Sequence, residues 1–170
     1  YQMRKLISEL LDFRKFEQNH VTLNITDNDM VAFMKEVYLN FYEYSAARQI
    51  TYEFQAKSES ISCWFDTVQM QKVVYNLLSN AFKYTRPQGV IEVIVSEDKD
   101  YINIQIVDNG IGIEDKDINR IFDRFYQVGN DTDIQQTTGT GIGLALTKGI
   151  VESHHGTLTV KSRPGYGSIF

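Results

Sequence analysis

"VIEVIVSEDKDYINIQIVDNGIGIE", residues 90–114, is the stretch on which the fold turns. Two runs within it alternate apolar and polar residues, which is the period of a strand with one buried face. Joined tightly around Lys99–Asp100, the two runs make an antiparallel pair. The second run ends in Asp108, and Gly110 and Gly112 come directly after it. A carboxylate at a strand end is poorly placed for core burial, so Asp108 is expected as a fixed acceptor at the mouth of a site. The two glycines let the chain turn sharply and leave room for a ligand beside it.

The pattern extends outward in both directions. A helix is expected over 114–121 and another over 67–84, the latter capped by Asp66 and Thr67. Before it, "ITYEFQA" (50–56) and "ISCWF" (61–65) read as strands, and Val21–Thr26 as a short one. "TDND" (26–29) supplies capping residues for a helix over about 29–47, with Met34, Val37, Phe41 and Tyr44 on one face. Residues 2–19 repeat Met3, Leu6, Leu10, Phe13 and Phe16 at helical spacing and form an amphipathic helix. Downstream, "YQVGNDTDIQQTTGT" (126–140) has few large apolar groups and no period, the mark of a long loop or lid. A helix over 141–154 and strands at 157–162 and 166–170, turned by "RPGYG", close the sequence. Strands and helices are interleaved, yet at least two strand pairs are tightly joined. The fold class is therefore α/β: a two-layer sandwich with a mixed sheet of about five or six strands and helices on one face, preceded by the amphipathic helix.

Composition narrows the function. The 170 residues are 42% hydrophobic, with ten Phe and ten Tyr, which is globular rather than disordered. A net charge of −5 without a long basic run disfavours a nucleic-acid partner. Cys63 is the only cysteine, so an internal disulfide is excluded and the chain reads as reduced and cytosolic. The sequence opens in a helical pattern and stops inside a strand, so it is read as a segment of something longer.

A second glycine cluster, "GTGIGLA" (139–145), opens the helix over 141–154. Free N–H groups and the helix dipole there point at an anion, phosphate being the obvious one. The spacing fits neither a P-loop nor the dinucleotide G-x-G-x-x-G. Upstream, Asn76 and Asn80 in "NLLSNAFKYT" (76–85) share one helix face. Two such amides can hold a hydrated cation such as Mg²⁺. Each stretch taken alone could be a turn, a cap or a solvated helix face.

Together the three stretches resemble the ATP-binding catalytic domain of sensor histidine kinases, a family grouped with gyrase, heat-shock chaperone and mismatch-repair ATPases. "NLLSNAFKYT" is similar to its N box, "DNGIGI" to its first glycine box, "RIFDRFYQ" to its F box, "GTGIGLA" to its second glycine box and "RPGYGSIF" to its closing strand. "LLDFRKFE" resembles the end of the second helix of the dimerisation domain, so the resemblance covers essentially the whole chain. It implies two parts: residues 1–20 as the end of that helix and 21–170 as the ATP-binding catalytic domain.

The resemblance also implies roles. Asp108 would accept a hydrogen bond from the adenine amino group, with Gly110, Gly112 and Ile113 beside the base. Asn80 would coordinate Mg²⁺, with Asn76 next to it. Lys83 would reach the phosphates and Tyr84 would pack near the base or ribose. Gly139 and the amides around Thr140, Gly141, Ile142, Gly143 and Leu144 would hold phosphate oxygens. Phe122 and Phe125 would anchor the lid, Arg124 would reach the terminal phosphate, and Ser168 would support adenine through a water. The implied cofactors are ATP and Mg²⁺. The implied partners are a histidine on the protein's own dimerisation domain, a response-regulator receiver domain and a second copy in a homodimer. The implied location is the cytoplasmic side of an inner-membrane protein.

The sequence departs from the family at Lys72, where Glu or Gln is common, at Gln127, where Arg is common, and at His154–His155–Gly156, where "HGG" is usual. His20, His154 and His155 all read as local residues near helix ends, so the phosphoacceptor is expected outside this segment. Two other readings stand beside the kinase: a non-catalytic nucleotide-binding module, favoured by Lys72 and Gln127, and a gyrase- or chaperone-type ATPase, which the N-terminal helix disfavours.

Overall fold

The computed structural model describes residues 22–128 and 140–170. The expected N-terminal helix, most of the expected lid and Gly139 lie outside the described residues. Among the described residues seven strands and five helices succeed one another in chain order: β1 (Thr26–Asp29), α1 (Met30–Asn40), α2 (Tyr42–Ala47), β2 (Thr51–Ala56), β3 (Ser62–Phe65), α3 (Thr67–Tyr84), β4 (Val90–Glu97), β5 (Ile102–Asp108), α4 (Asp115–Ile118), α5 (Gly143–Ser153), β6 (Lys161–Arg163) and β7 (Gly167–Ile169). The main sheet runs β2-β4-β5-β7-β6, and β1 pairs with β3 in a separate two-stranded sheet. β2 and β4 are parallel and the other neighbours antiparallel, so the sheet is mixed, as its pattern predicts.

The alternation in residues 90–108 sorts the two faces. Ile91, Val93, Val95 and Ile106 point inward and are sealed from solvent. They meet Val74, Leu77, Leu78, Ala81 and Phe82 of α3 and Leu146 and Ile150 of α5. Glu53, Gln55, Asn103 and Gln105 face water on the other side. The result is two layers with helices on one face.

α3 forms where the sequence predicts it. The Asp66 carboxylate accepts the N–H of Gln69 at 3.0 Å and that of Asn24 at 2.8 Å. Burial, the largest influence on this carboxyl, pushes its pKa up. The N–H donors of Gln69, Asn24 and Val68 together outweigh it and hold the pKa below the ordinary value. The helix stops at Thr85, whose extended backbone precedes Arg86–Pro87.

Four expectations are corrected. The strand expected at 21–26 lies at Thr26–Asp29, so the polar "TDND" is itself the strand. Its side chains are satisfied in place: Ser62 Oγ donates to Asp27 and the Asp29 carboxylate accepts from the N–H groups of Val31 and Ile61. The single helix expected over 29–47 is broken at Phe41, where the N–H bonds back three residues to Tyr38. The Phe41 ring stacks on Phe82 at 5.6 Å, and Tyr44 stays 47% exposed rather than joining the buried face. The helix expected over 114–121 keeps one turn, because Asp117 turns inward and three-residue turns replace the helix after it. The strand expected at 157–162 shrinks to Lys161–Arg163, since β7 offers three residues to pair with.

Candidate functional site

β5 delivers Asp108 to the inner face of the sheet, in register with Ile91. The residue is only 7% exposed, so the expectation that a strand-end carboxylate escapes burial is corrected. The register places Asp108 on the same face as Ile106, and the chain turns over it. Its Oδ1 accepts the N–H of Gly110 at 2.8 Å. Burial pushes the Asp108 carboxyl above the usual carboxylate range, and the main-chain N–H groups of Gly110 and Ser168 offset part of that rise.

The glycines after Asp108 fit the fold more tightly than a base-sized gap requires. A Cβ on Gly110 would stand 2.5 Å from the Tyr84 carbonyl, and one on Gly112 would stand 2.1 Å from the Arg163 carbonyl. Gly110 thus packs the strand end onto the end of α3, and Gly112 packs the loop onto the β6–β7 turn. Ile113 is held there by its N–H, which donates to Ser162 Oγ at 2.8 Å. That hydroxyl lies 2.9 Å from Ser168 Oγ and donates to the Gly167 carbonyl. Ser168 is buried beside Asp108, its register partner on β7.

α3 presents Asn76 and Asn80 one turn apart, both half-buried. Asn76 is committed to structure: its Nδ2 donates to Thr147 Oγ1 of α5 at 2.9 Å. Its Oδ1 lies where a Cβ on Gly143 would come within 2.5 Å. Asn76 therefore braces α3 against the first turn of α5. Lys83 holds its ammonium 4.9 Å from the centre of the Tyr84 ring, and Tyr84 is 37% exposed.

The first turn of α5 has no side-chain cap at Ile142; two residues back, Thr140 Oγ1 accepts the Ile142 N–H at 3.3 Å. Gly141 has φ +70°, and its carbonyl accepts the Phe125 N–H at 2.8 Å. A Cβ there would stand 2.7 Å from the Phe125 backbone, so the second glycine cluster and the F-box stretch touch main chain to main chain. Leu144 packs on the core, Phe122 is half-buried, and Arg124 is exposed. The Phe125 ring is 62% exposed on a left-handed backbone.

His154 closes the far end of α5. Its Nδ1–H donates to the Ile150 carbonyl at 2.8 Å, which leaves Nε2 to accept the N–H of Asp66 at 3.1 Å. Both ring nitrogens are occupied. His155 comes next in a left-handed turn, exposed. A groove of about 410 Å³ between α1 and the start of α3, lined by residues such as Phe33, Glu36, Val68 and Gln71, lies near the opposite end of α3 and includes none of the expected site residues.

The structure thus gathers Asp108, Gly110, Ile113 and Ser168 at one sheet end and Asn76, Gly141 and Gly143 at the junction of α3 and α5. Thr147, Ser162 and the pair Asp117–Tyr126 were missed by sequence reasoning. Thr147 had a signal: it is the buried polar residue on an otherwise apolar helix face. Asp117, one of three acids between 114 and 117, had none.

The family model described as "Histidine kinase-, DNA gyrase B-, and HSP90-like ATPase" matches residues 65–170. The histidine kinase P4 of Formosa agariphila is 40% identical over 165 residues, 95% of this chain and 12% of that protein. The chain therefore spans about an eighth of that relative's length. Full-length ShkA, solved with AMPPNP, superposes with a TM-score of 0.86 at 20% identity, covering 99% of this chain and 35% of ShkA. The histidine kinase ThkA, solved with the response regulator TrrA, gives 0.80 at 21% identity, covering 99% of this chain and 46% of that one. At such identities these two structures speak for the fold.

Proposed function

The chain belongs to the histidine kinase-, DNA gyrase B- and HSP90-like ATPase family, on its sensor-histidine-kinase side, and from that premise we propose that it binds Mg-ATP and donates the γ-phosphoryl to a histidine outside residues 1–170. On this proposal residues 1–20 belong to the dimerisation domain and residues 21–170 to the catalytic domain. One observation carries the reading: a buried carboxylate, Asp108, stands on the face of the sheet against which α5 packs, and the first turn of α5 has no side-chain cap.

Asp108 accepts from the adenine amino group, flanked by Gly110, Gly112 and Ile113, with Ser168 supporting the base through water. The amides from Thr140 to Leu144 receive phosphate oxygens, aided by the helix dipole. Lys83 and Arg124 supply charge to the phosphates, Tyr84 packs near the base or ribose, and Phe125 anchors the loop beside it. Among the described residues no group of three or more His, Cys, Asp and Glu forms a metal cage. The Asn80 amide suits Mg²⁺, which keeps its waters and leans on phosphate oxygens. When bound, Mg²⁺ neutralises charge on the phosphates. The chain's own residues contribute positioning and preorganised electrostatics, the terms that dominate phosphoryl transfer.

The partner carrying the acceptor is a second copy of the protein or its own dimerisation helix, and a receiver aspartate takes the phosphoryl group onward. ThkA, solved with TrrA, offers the analogy. Among the described residues no helix is long and apolar enough to cross a membrane. On the same proposal the domain works where ATP is, in the cytoplasm, and the full-length protein is anchored in the inner membrane.

Incubation of the 170-residue chain with γ-labelled ATP and Mg²⁺ is expected to show binding and no acid-labile phosphate. His154 has no free nitrogen to attack with. Stable label on His20, His154 or His155 overturns the proposal. In the full-length protein the label should reach a histidine and then a receiver domain. Nucleotide binding without any such transfer would favour the non-catalytic module.

Asp108 also makes binding depend on pH. Its pKa in the folded chain is raised above 3.8, so ionising it costs more in the folded than in the unfolded state. Its stabilising contribution is complete below the unfolded pKa and is lost as pH rises through the folded one. Adenine recognition runs the other way, because the amino group needs the carboxylate. ATP affinity should fall as pH drops from neutral through the raised pKa, while this residue leaves folding unharmed. Titrations of the chain and of Asp108→Asn across that range check it: protonation of the ATP phosphate weakens both alike, and the parent should show the additional fall.

A further inference from the structure

We propose that Tyr126 is a positioning residue for the phosphate-binding turn, acting through Phe125 on Gly141; the inference rests on the nucleotide reading above. The Tyr126 hydroxyl donates to Asp117 Oδ1 at 2.5 Å, and Asp117 is only 4% exposed. The Arg120 guanidinium lies over the Tyr126 ring at 4.2 Å from its centre. The phenol is thus bonded at its tip and covered on one face. The bond to Asp117, its largest influence, raises the phenol's pKa, so the donor proton is held across the ordinary pH range.

The consequence lies one residue back. Phe125 has φ +60°, a conformation that a bulky residue keeps only where its neighbours impose it. Two contacts impose it here. On one side Tyr126 is tied down to Asp117. On the other the Phe125 N–H donates to the Gly141 carbonyl, and Gly141 has no Cβ because one would stand 2.7 Å from the Phe125 main chain. Gly141 is two residues before Gly143, the first residue of α5. The anchor thus runs from buried Asp117, through Tyr126 and Phe125, to the turn whose amides receive phosphate. If the phenol bond is lost, Phe125 is free to relax to negative φ, and the Gly141 carbonyl loses its donor. The base end at Asp108 shares none of these contacts.

The test uses the full-length protein with Tyr126→Phe, Asp117→Ala and the double variant. Tyr126→Phe keeps the ring under Arg120. Calorimetry should find ATP weakened by about tenfold in each variant and no further in the double, while adenosine, which lacks phosphates, is unchanged within about twofold. Amide exchange without nucleotide should quicken at Phe125. A general loss of structure would weaken ATP and adenosine alike. Unchanged ATP affinity, an equal loss for both ligands, or unchanged exchange at Phe125 overturns the proposal. If the parent binds neither ligand, the nucleotide reading fails, and exchange at Phe125 still decides whether Tyr126 holds the turn.

Discussion

Asp108→Asn is expected to lower ATP affinity by about ten- to 150-fold, the worth of a hydrogen bond to a charged group. Asn keeps the size of Asp, and its amide oxygen can go on accepting the Gly110 N–H now held at 2.8 Å. Its NH₂ is then left to face the base. Adenine presents an amine there, so two donors oppose each other. Guanine presents a carbonyl, which the native carboxylate repels and the amide can donate to. The variant should therefore lose ATP and narrow the gap to GTP. It should not lose stability at neutral pH, because burial makes the ionised Asp108 costly in the folded chain. Titrating both nucleotides into both proteins, with a thermal melt of each, decides the matter. Unchanged ATP affinity in a folded Asp108→Asn chain would reduce the residue to a turn former.

Gly167→Ala should have the largest effect on the fold. A Cβ at Gly167 would stand 1.9 Å from the Asp108 carbonyl and 2.6 Å from Asn109 Cα, at φ +101°. Both obstacles are main chain, so no side chain can yield. β7 would have to part from β5 at the pair that holds Ser168 against Asp108. The expected loss is roughly 3 kcal/mol or more, from clash and strain together. Gly165→Ala is the control: it has φ +78° but nothing within 4 Å of the added carbon. It should lose only about 1–2 kcal/mol, the strain of a left-handed alanine. Denaturant unfolding of the two variants separates the terms. Equal losses would show that the close approach of β5 and β7 counts for little.

Local signals account for the parts of the fold that were legible in the sequence. α3 could be bounded because Asp66 caps its start and Pro87, two residues after Thr85, bars its continuation. β4 and β5 could be paired because their alternation is clean and their turn short. The break at Phe41 was hidden, since residues 29–47 carry apolar positions at helical spacing throughout and the stacking on Phe82 is a contact across 41 positions. The burial of Asp108 was hidden for a related reason. Its side on the strand is set by the period of two, yet its cover, the turn through Gly110 and the pairing with Ser168, is decided by chain folding back from elsewhere. Asn76 and Asn80 were read correctly as sharing a face, but the partner of Asn76 lies 71 positions on. Spacing shows where a side chain points and is silent about its neighbours.

The two ties between α3 and α5 have a mechanical result. Asn76 grips Thr147 in one place, and the His154 ring grips the Asp66 N–H in another. Two rods pinned at two points resist sliding and swivelling against each other. Asp108 is meanwhile set in the sheet on which both rods rest. The span from that carboxylate to the first turn of α5 is therefore a fixed gauge. A ligand that is too long or too short is disfavoured, since fitting it would mean bending the ligand or straining the ties that hold the two ends in place.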